Sequence, residues 1–176
     1  MRNDYVPYFF CSWEVINIKV LAIDQAKVTG FAVFDDGILT DHGTIELGRK
    51  DNIYEDILFH AKQRVKDFIG EVKADLVVIE DIQQQKQNVK TYKKLAMLMG
   101  VLLCLFQEMN QPYLIVPPTR WKSFCGIKGR KRAEQKTNTI LFAQDKFNLE
   151  AVTEDMADAI ALGWFAVNNF SMEEDA

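Results

Sequence analysis

Four carboxylates stand where buried elements should end. Asp24 follows Val20, Leu21, Ala22 and Ile23, and Glu80 follows Leu76, Val77, Val78 and Ile79. Unbroken apolar runs of this kind read as strands buried on both faces, so each acid surfaces at a strand end, firmly held and partly desolvated. Asp155 and Asp158 stand three apart in a helical pattern and share one face of it. If the two strands are neighbours, four acids meet at one edge, where they repel and shift one another's protonation unless cations neutralise them. Mg²⁺ or Mn²⁺ suits such all-oxygen sites. Two such ions roughly 3.5–4 Å apart stabilise the attacking and leaving oxygens of phosphodiester hydrolysis. Singly, each acid has a plainer use: Asp155 could complement a helix dipole, Asp24 order a turn, and Glu80 or Asp81 cap a loop. Strand alternation aims Asp81 away from Glu80. The joint placement of the other four is what points to chemistry.

The elements that must position these acids follow from the pattern. Strands are expected over 17–24, 30–34 and 38–47, with Gly30 easing the first turn and Asp35, Asp36 and Gly37 forming a hairpin turn. Asp51 could cap a helix over 52–72, where Ile53, Ile57, Leu58, Ala61, Val65, Phe68 and Ile69 recur at helical spacing. A buried strand over 76–79 delivers Glu80 and Asp81. After a glutamine- and lysine-rich loop, a helix is expected over 89–109; its apolar run from 95 to 106 is too wide for a one-sided stripe and too short for a membrane span. That helix should be buried on two sides, with the sheet as one neighbour and either a second copy of the chain or further core as the other. A strand over 112–116 precedes Pro117 and Pro118, then a short helix capped by Thr119 through Trp121 to Phe124, a basic loop over 126–132, a helix over 133–147, and a last helix over 154–167 capped by Thr153. Three antiparallel strands followed by strands alternating with helices describe a five-stranded mixed α/β sheet.

The chain of 176 residues, 48% hydrophobic and 26% charged, has the size and composition of one globular domain. Three cysteines with no metal-ligand spacing suggest a reducing, cytoplasmic setting. The net charge of −4 is unevenly spread. Residues 82–107 hold Lys86, Lys90, Lys93 and Lys94 and no acid; residues 119–136 hold Arg120, Lys122, Lys128, Arg130, Lys131, Arg132 and Lys136 against Glu134 alone. Such segregation suggests a basic surface facing a polyanion, the plainer reading being two solvated helix faces. Trp121 and Tyr92, interleaved with lysines, could stack on unpaired bases, or Trp121 could belong to the core. His42 and His60 read as structural. Residues 1–17 form an aromatic cluster (Tyr5, Tyr8, Phe9, Phe10, Trp13) interrupted by Pro7 and Glu14 with no small-residue cleavage site, so an extra strand, a lid or a tail is expected rather than a signal peptide. Residues 18–170 are the expected domain and 171–176 an acidic tail.

One family resemblance is specific. Ile23, Asp24, Gln25 and Ala26 with Thr29 and Gly30, then Val78, Ile79, Glu80 and Asp81, then Asp155 to Ala161 with its Asp-x-Ala-Asp-Ala core, resemble the RuvC family of Holliday-junction resolvases within the RNase H-like superfamily. The resemblance implies a homodimeric, Mg²⁺-dependent endonuclease with two ions per site, Mn²⁺ able to substitute, that nicks opposed strands of four-way DNA junctions. It matches Asp24, Glu80, Asp155 and Asp158 to the family's metal-binding acids and Lys122 to a basic residue near the scissile phosphate, with Lys131 or Lys136 matching another. It also places the dimer helix at 89–109. The chain departs from the family at Gln83, where bacterial members carry an aromatic residue, and in its N-terminal extension. Both departures point toward a divergent, phage-type member with a broader branch specificity. Rival readings are an RNase H-like nuclease acting on another structured nucleic acid, such as RNA–DNA hybrid, and a junction-binding protein that does not cleave. An actin-like ATPase would need a second such domain.

Overall fold

The computed structural model describes residues 18–26, 28–47, 54–83 and 89–170. The aromatic N-terminal segment, Asp51, Lys86 and the acidic tail lie outside the described residues. The elements run β1 (Lys19–Asp24), β2 (Val28–Asp35), β3 (Ile38–Glu46), α1 (Tyr54–Val72), β4 (Leu76–Glu80), α2 (Val89–Glu108), β5 (Tyr113–Val116), α3 (Pro118–Phe124), α4 (Arg132–Phe147) and α5 (Glu154–Phe170). The strands form one five-stranded sheet in the order β3-β2-β1-β4-β5. β1, β2 and β3 pair antiparallel, while β4 and β5 run parallel to β1. The mixed sheet expected from the sequence is the one observed, an RNase H-like arrangement with helices on both faces.

Strand alternation divides the core in two. Leu21, Ile23, Val77 and Ile79 point to the face covered by α1 and α2, where Val65, Ile69, Leu102 and Phe106 are buried against them. Val20, Ala22 and Val78 point to the opposite face, covered by α5 with Trp121 of α3 and Ala143 of α4. By the same parity Asp24 and Glu80 fall on the α5 face. Small residues bring α5 down onto the sheet: Ala157, Ala159, Ala161 and Ala166 are buried in the core cluster that also holds Ala22 and Ala32. A Cβ on Gly163 would meet the Phe34 ring at 2.5 Å and Ala22 at 3.1 Å.

Local chemistry accounts for the turns. Asp36 and Gly37 take φ of 49° and 74°, the expected hairpin geometry. Thr29 closes the β1–β2 turn through its hydroxyl, which donates to the Ala26 carbonyl (2.7 Å) and accepts from the Ala26 amide (3.2 Å). Gly30 does not take positive φ; its contribution is space, described below. Thr153 accepts from the Met156 amide at 3.3 Å and so caps α5 as expected. Thr119 does not cap α3: Pro117 is the N-cap, because Pro118 already has the φ of a first helical residue and lacks the N–H that such a position leaves unpaired. α2 buries Leu98, Met99, Leu102, Leu105 and Phe106 against the sheet, while Met97, Gly100 and Cys104 are exposed on its far side. Two-sided burial of α2 is therefore not met within one copy of the chain. Among the described residues no helix is long and apolar enough to cross a membrane.

Candidate active site

β1 and β4 end side by side. Their parallel register pairs Ile23 with Ile79, so the next residues, Asp24 and Glu80, stand together at the carboxyl edge. Across β1, Asp24 pairs with Gly30 of β2. That glycine opens the floor for α5: a Cβ there would lie 1.8 Å from the Asp155 carbonyl oxygen and 2.3 Å from its carbon. Only a residue without a side chain lets the first turn of α5 descend beside Asp24.

The acids share one electrostatic field. Asp24 is held well above the ordinary carboxylate range, first by desolvation and then by Glu80, Asp158 and Asp155, with Lys122 opposing them. Desolvation, reinforced by Asp158, raises Glu80 to about 7, against the pull of the Trp121 hydrogen bond, Lys122 and Arg132. Asp158 is raised by desolvation and by Asp155, and lowered by Lys122, Lys136 and a hydrogen bond with Thr139. Asp81 is not among the main charges acting on any of the three.

Buried polar groups fix this cluster from behind. The Gln25 side-chain amide donates to the Glu80 carbonyl at 2.8 Å, and the Trp121 indole donates to Glu80 Oε1 at 2.8 Å. Thr139 of α4 is fully buried and also bonds the Gln135 carbonyl at 2.9 Å. Among the described residues, Gln25 Oε1 is the one buried side-chain oxygen or nitrogen without a hydrogen-bond partner. Four hard oxygen donors, three of them with disfavoured ionised forms, fit a hydrated divalent cation. Among the described residues no three His, Cys, Asp or Glu side chains are drawn tightly enough together to hold a metal ion, so the fit rests on donor chemistry and shared field.

The expected basic residues distribute around this edge unequally. Lys122 of α3 acts on Asp24, Glu80 and Asp158. Of the two lysines between which the sequence leaves a choice, Lys136 acts on Asp158 and pairs with Glu154, while Lys131 is exposed at the start of α4. Arg132 acts on Glu80. Lys128 lines a groove of about 520 Å³ with Gln83, Thr119, Lys122, Ser123 and Gln135. The basic loop is ordered: Glu134 accepts from the Arg130 and Lys131 amides (2.9 and 3.3 Å), and Asn138 donates to the Lys128 carbonyl (2.6 Å). Arg120 lies over the Phe165 ring at 5.7 Å. Lys90, Lys93 and Lys94 lie exposed on the first turns of α2. His42 on β3 and His60 on α1 stand on elements outside the cluster.

Sequence reasoning does not single out Trp121, Gly30, Gln25 or Thr139 as residues of the acid site. Trp121 is fully buried, which excludes base stacking; its signal is a large aromatic directly before Lys122, and only the fold shows what its N–H reaches.

No protein-family model and no curated protein matches the chain. Solved structures do. The Thermus thermophilus RuvC structure superposes with a TM-score of 0.70 at 17% identity, covering 89% of this chain and 97% of that one. T. thermophilus RuvC in complex with a Holliday junction substrate gives 0.69 at 16% identity, covering 88% and 96%. The Fowlpox virus resolvase in complex with substrate Holliday junction DNA gives 0.61 at 16% identity, covering 87% and 99%. The chain therefore has the RNase H-like fold of the RuvC-type resolvases.

Proposed function

We propose that this chain is a divalent-metal-dependent endonuclease that resolves four-way and other branched DNA. The observation that carries the proposal is the shared field of Asp24 and Glu80 at the strand ends with Asp155 and Asp158 on the start of α5, with Lys122 acting on Asp24, Glu80 and Asp158. The fold agrees, since it is shared with proteins solved on Holliday junctions.

Asp24, Glu80, Asp155 and Asp158 would hold Mg²⁺, two ions per site, with Mn²⁺ able to replace it. Bound there, the metal supplies Lewis-acid activation of the attacking water and neutralises charge at the leaving oxygen. The residues themselves perform the rest. Gln25 and Trp121 hold the Glu80 backbone and side chain, Thr139 holds Asp158, and Gly30 seats Asp155 beside Asp24. Lys122 offsets charge developing on the phosphoryl oxygens, where a preplaced cation needs no reorganisation during reaction. Lys136 neutralises the outer side of Asp158. Lys90, Lys93 and Lys94 on α2, and Arg120, Lys128, Arg130, Lys131 and Arg132 around α3 and α4, track phosphates of the junction arms; Lys86 joins them in sequence.

The exposed apolar and small stripe of α2, Met97, Gly100 and Cys104, is suited to a second copy, since small residues allow close helix approach. A homodimer built on it presents two cleavage centres to two opposed strands. The test is Asp24→Asn, which removes one charge from the centre of the cluster. Cleavage of a junction should be abolished while junction binding persists; retained cleavage would sink the metal assignment.

A further inference from the structure

α3 is short, yet two adjacent residues on it reach the same acid cluster. Trp121 has no exposed surface and is the largest fully buried side chain among the described residues. Phe or Leu could fill apolar volume there. What Trp adds is an N–H that must find a partner once buried, and here it donates to Glu80 Oε1 at 2.8 Å. The ring has a second neighbour: the Lys122 ammonium lies 5.0 Å from the ring centroid, within cation–π range. One indole thus touches both the carboxylate that ends β4 and the cation that acts on Asp24, Glu80 and Asp158. Neither contact is forced by packing alone, because a longer acid and a flexible lysine each have many other rotamers at a partly open strand edge.

We propose that Trp121 is a positioning residue that presets Glu80 and Lys122 together, its N–H fixing one carboxylate oxygen and its ring face carrying the ammonium. The inference rests on the metal-dependent reading above and assigns the residue that prepares that site. With Oε1 engaged, the Glu80 side chain is held in one rotamer. Supporting hydrogen bonds of this kind typically change metal affinity by about 10–100-fold when removed.

The test uses the full chain and reads metal binding apart from catalysis, as the rise in melting temperature on titration with Mn²⁺ or Mg²⁺ relative to each variant's own metal-free value. Trp121→Phe keeps an aromatic face and removes the donor; Trp121→Leu removes both. Trp121→Phe should move the metal midpoint at least about tenfold upward. Added to Glu80→Ala, which removes the acceptor, it should change that midpoint no further, since residues acting through one contact are not additive. Trp121→Leu should in addition lower the single-turnover rate at saturating metal to that of Trp121→Leu combined with Lys122→Ala. An unchanged midpoint in Trp121→Phe, or effects of Trp121→Phe and Glu80→Ala that multiply, would overturn the proposal. The unsubstituted core gives an independent reading: the Trp121 indole N–H resonance should shift on metal addition and in Glu80→Gln while that of Trp164 does not, and a Trp121 signal blind to both would overturn it as well. A wild-type protein whose melting temperature ignores both metals would remove the metal centre itself, and the proposal with it.

Discussion

Gly30→Ala is the substitution that separates this site from mere packing. The added Cβ would sit 1.8 Å from the Asp155 carbonyl oxygen, 2.3 Å from its carbon and 3.0 Å from the Met156 nitrogen. All three are backbone atoms of a capped helix start, so no rotamer change relieves the clash. Restoring ordinary contact at 3.4 Å requires the start of α5 to rise by about 1.6 Å from β2. Overpacking of this kind costs about 1–3 kcal/mol, which for a chain of this size lowers the melting temperature by several degrees. The larger consequence is chemical, since Asp155 and Asp158 ride on that turn while Asp24 and Glu80 stay on the sheet. A misplacement of about 1 Å can reduce turnover by on the order of 100-fold. The assay is single-turnover junction cleavage at a temperature where both proteins are folded, beside Gly163→Ala as control. At Gly163 the added atom meets mainly the Phe34 ring (2.5 Å), in the interior of the α5–sheet contact, and it should cost stability while sparing turnover. Gly30→Ala cleaving at the wild-type rate would refute the claim that close approach of α5 assembles the acids.

Further predictions concern pH, charge and thiols. Glu80 titrates near 7 in the fold against an ordinary value of 4.5, so the metal-free native state holds a proton that the unfolded chain has released; stability is full below about pH 4.5 and falls as pH rises through about 7. Metal-free melting temperature should therefore drop by several degrees from pH 5 to pH 8, and Mg²⁺ should flatten that slope; a flat metal-free profile would contradict the desolvated setting of Glu80 beside Asp158. Replacing Lys90, Lys93 and Lys94 by Glu should weaken junction binding and reduce the salt slope by roughly one for each phosphate no longer neutralised; an unchanged slope would take these lysines off the DNA path. Burial pushes the Cys125 thiol up to about 12, so peptide mapping after alkylation at pH 8 should find it unlabelled until unfolding. Cys104, exposed on α2, should label readily in dilute protein and become protected at concentrations where the dimer forms; labelling independent of concentration would contradict a dimer on that stripe.

The acids are legible in the sequence because their settings are one-dimensional. Apolar runs before Asp24 and Glu80 mark buried parallel strands, a spacing of three puts Asp155 and Asp158 on one helix face, and strand parity removes Asp81. The same arithmetic reads the sheet. Groups whose function depends on distances across the fold escape it. Gly30 reads as a turn glycine, yet its backbone is ordinary and its use is to leave room for a helix more than a hundred residues later. Trp121 offers two uses, stacking or core; its full burial decides for core, and its N–H acquires meaning only beside Glu80. Thr119 suits a cap by residue type, and loses to the fixed φ of Pro118. Lys131 and Lys136 are indistinguishable in sequence because the loop before them hides the helix register; once α4 starts at Arg132, Lys136 is the one that acts on Asp158. The wide apolar run of α2 covers more than one face of the helix, and the second face is exposed in a single copy of the chain.

The most direct measurement of the central claim is cleavage of a synthetic four-way junction, with and without Mg²⁺, beside linear duplex, forked DNA and an RNA–DNA hybrid. Paired nicks in opposed strands of the junction, dependent on Mg²⁺ and lost in Asp24→Asn, are the predicted result, with forks cut more slowly. Cleavage of the hybrid alone, or tight junction binding with no cut in any metal, would contradict the account.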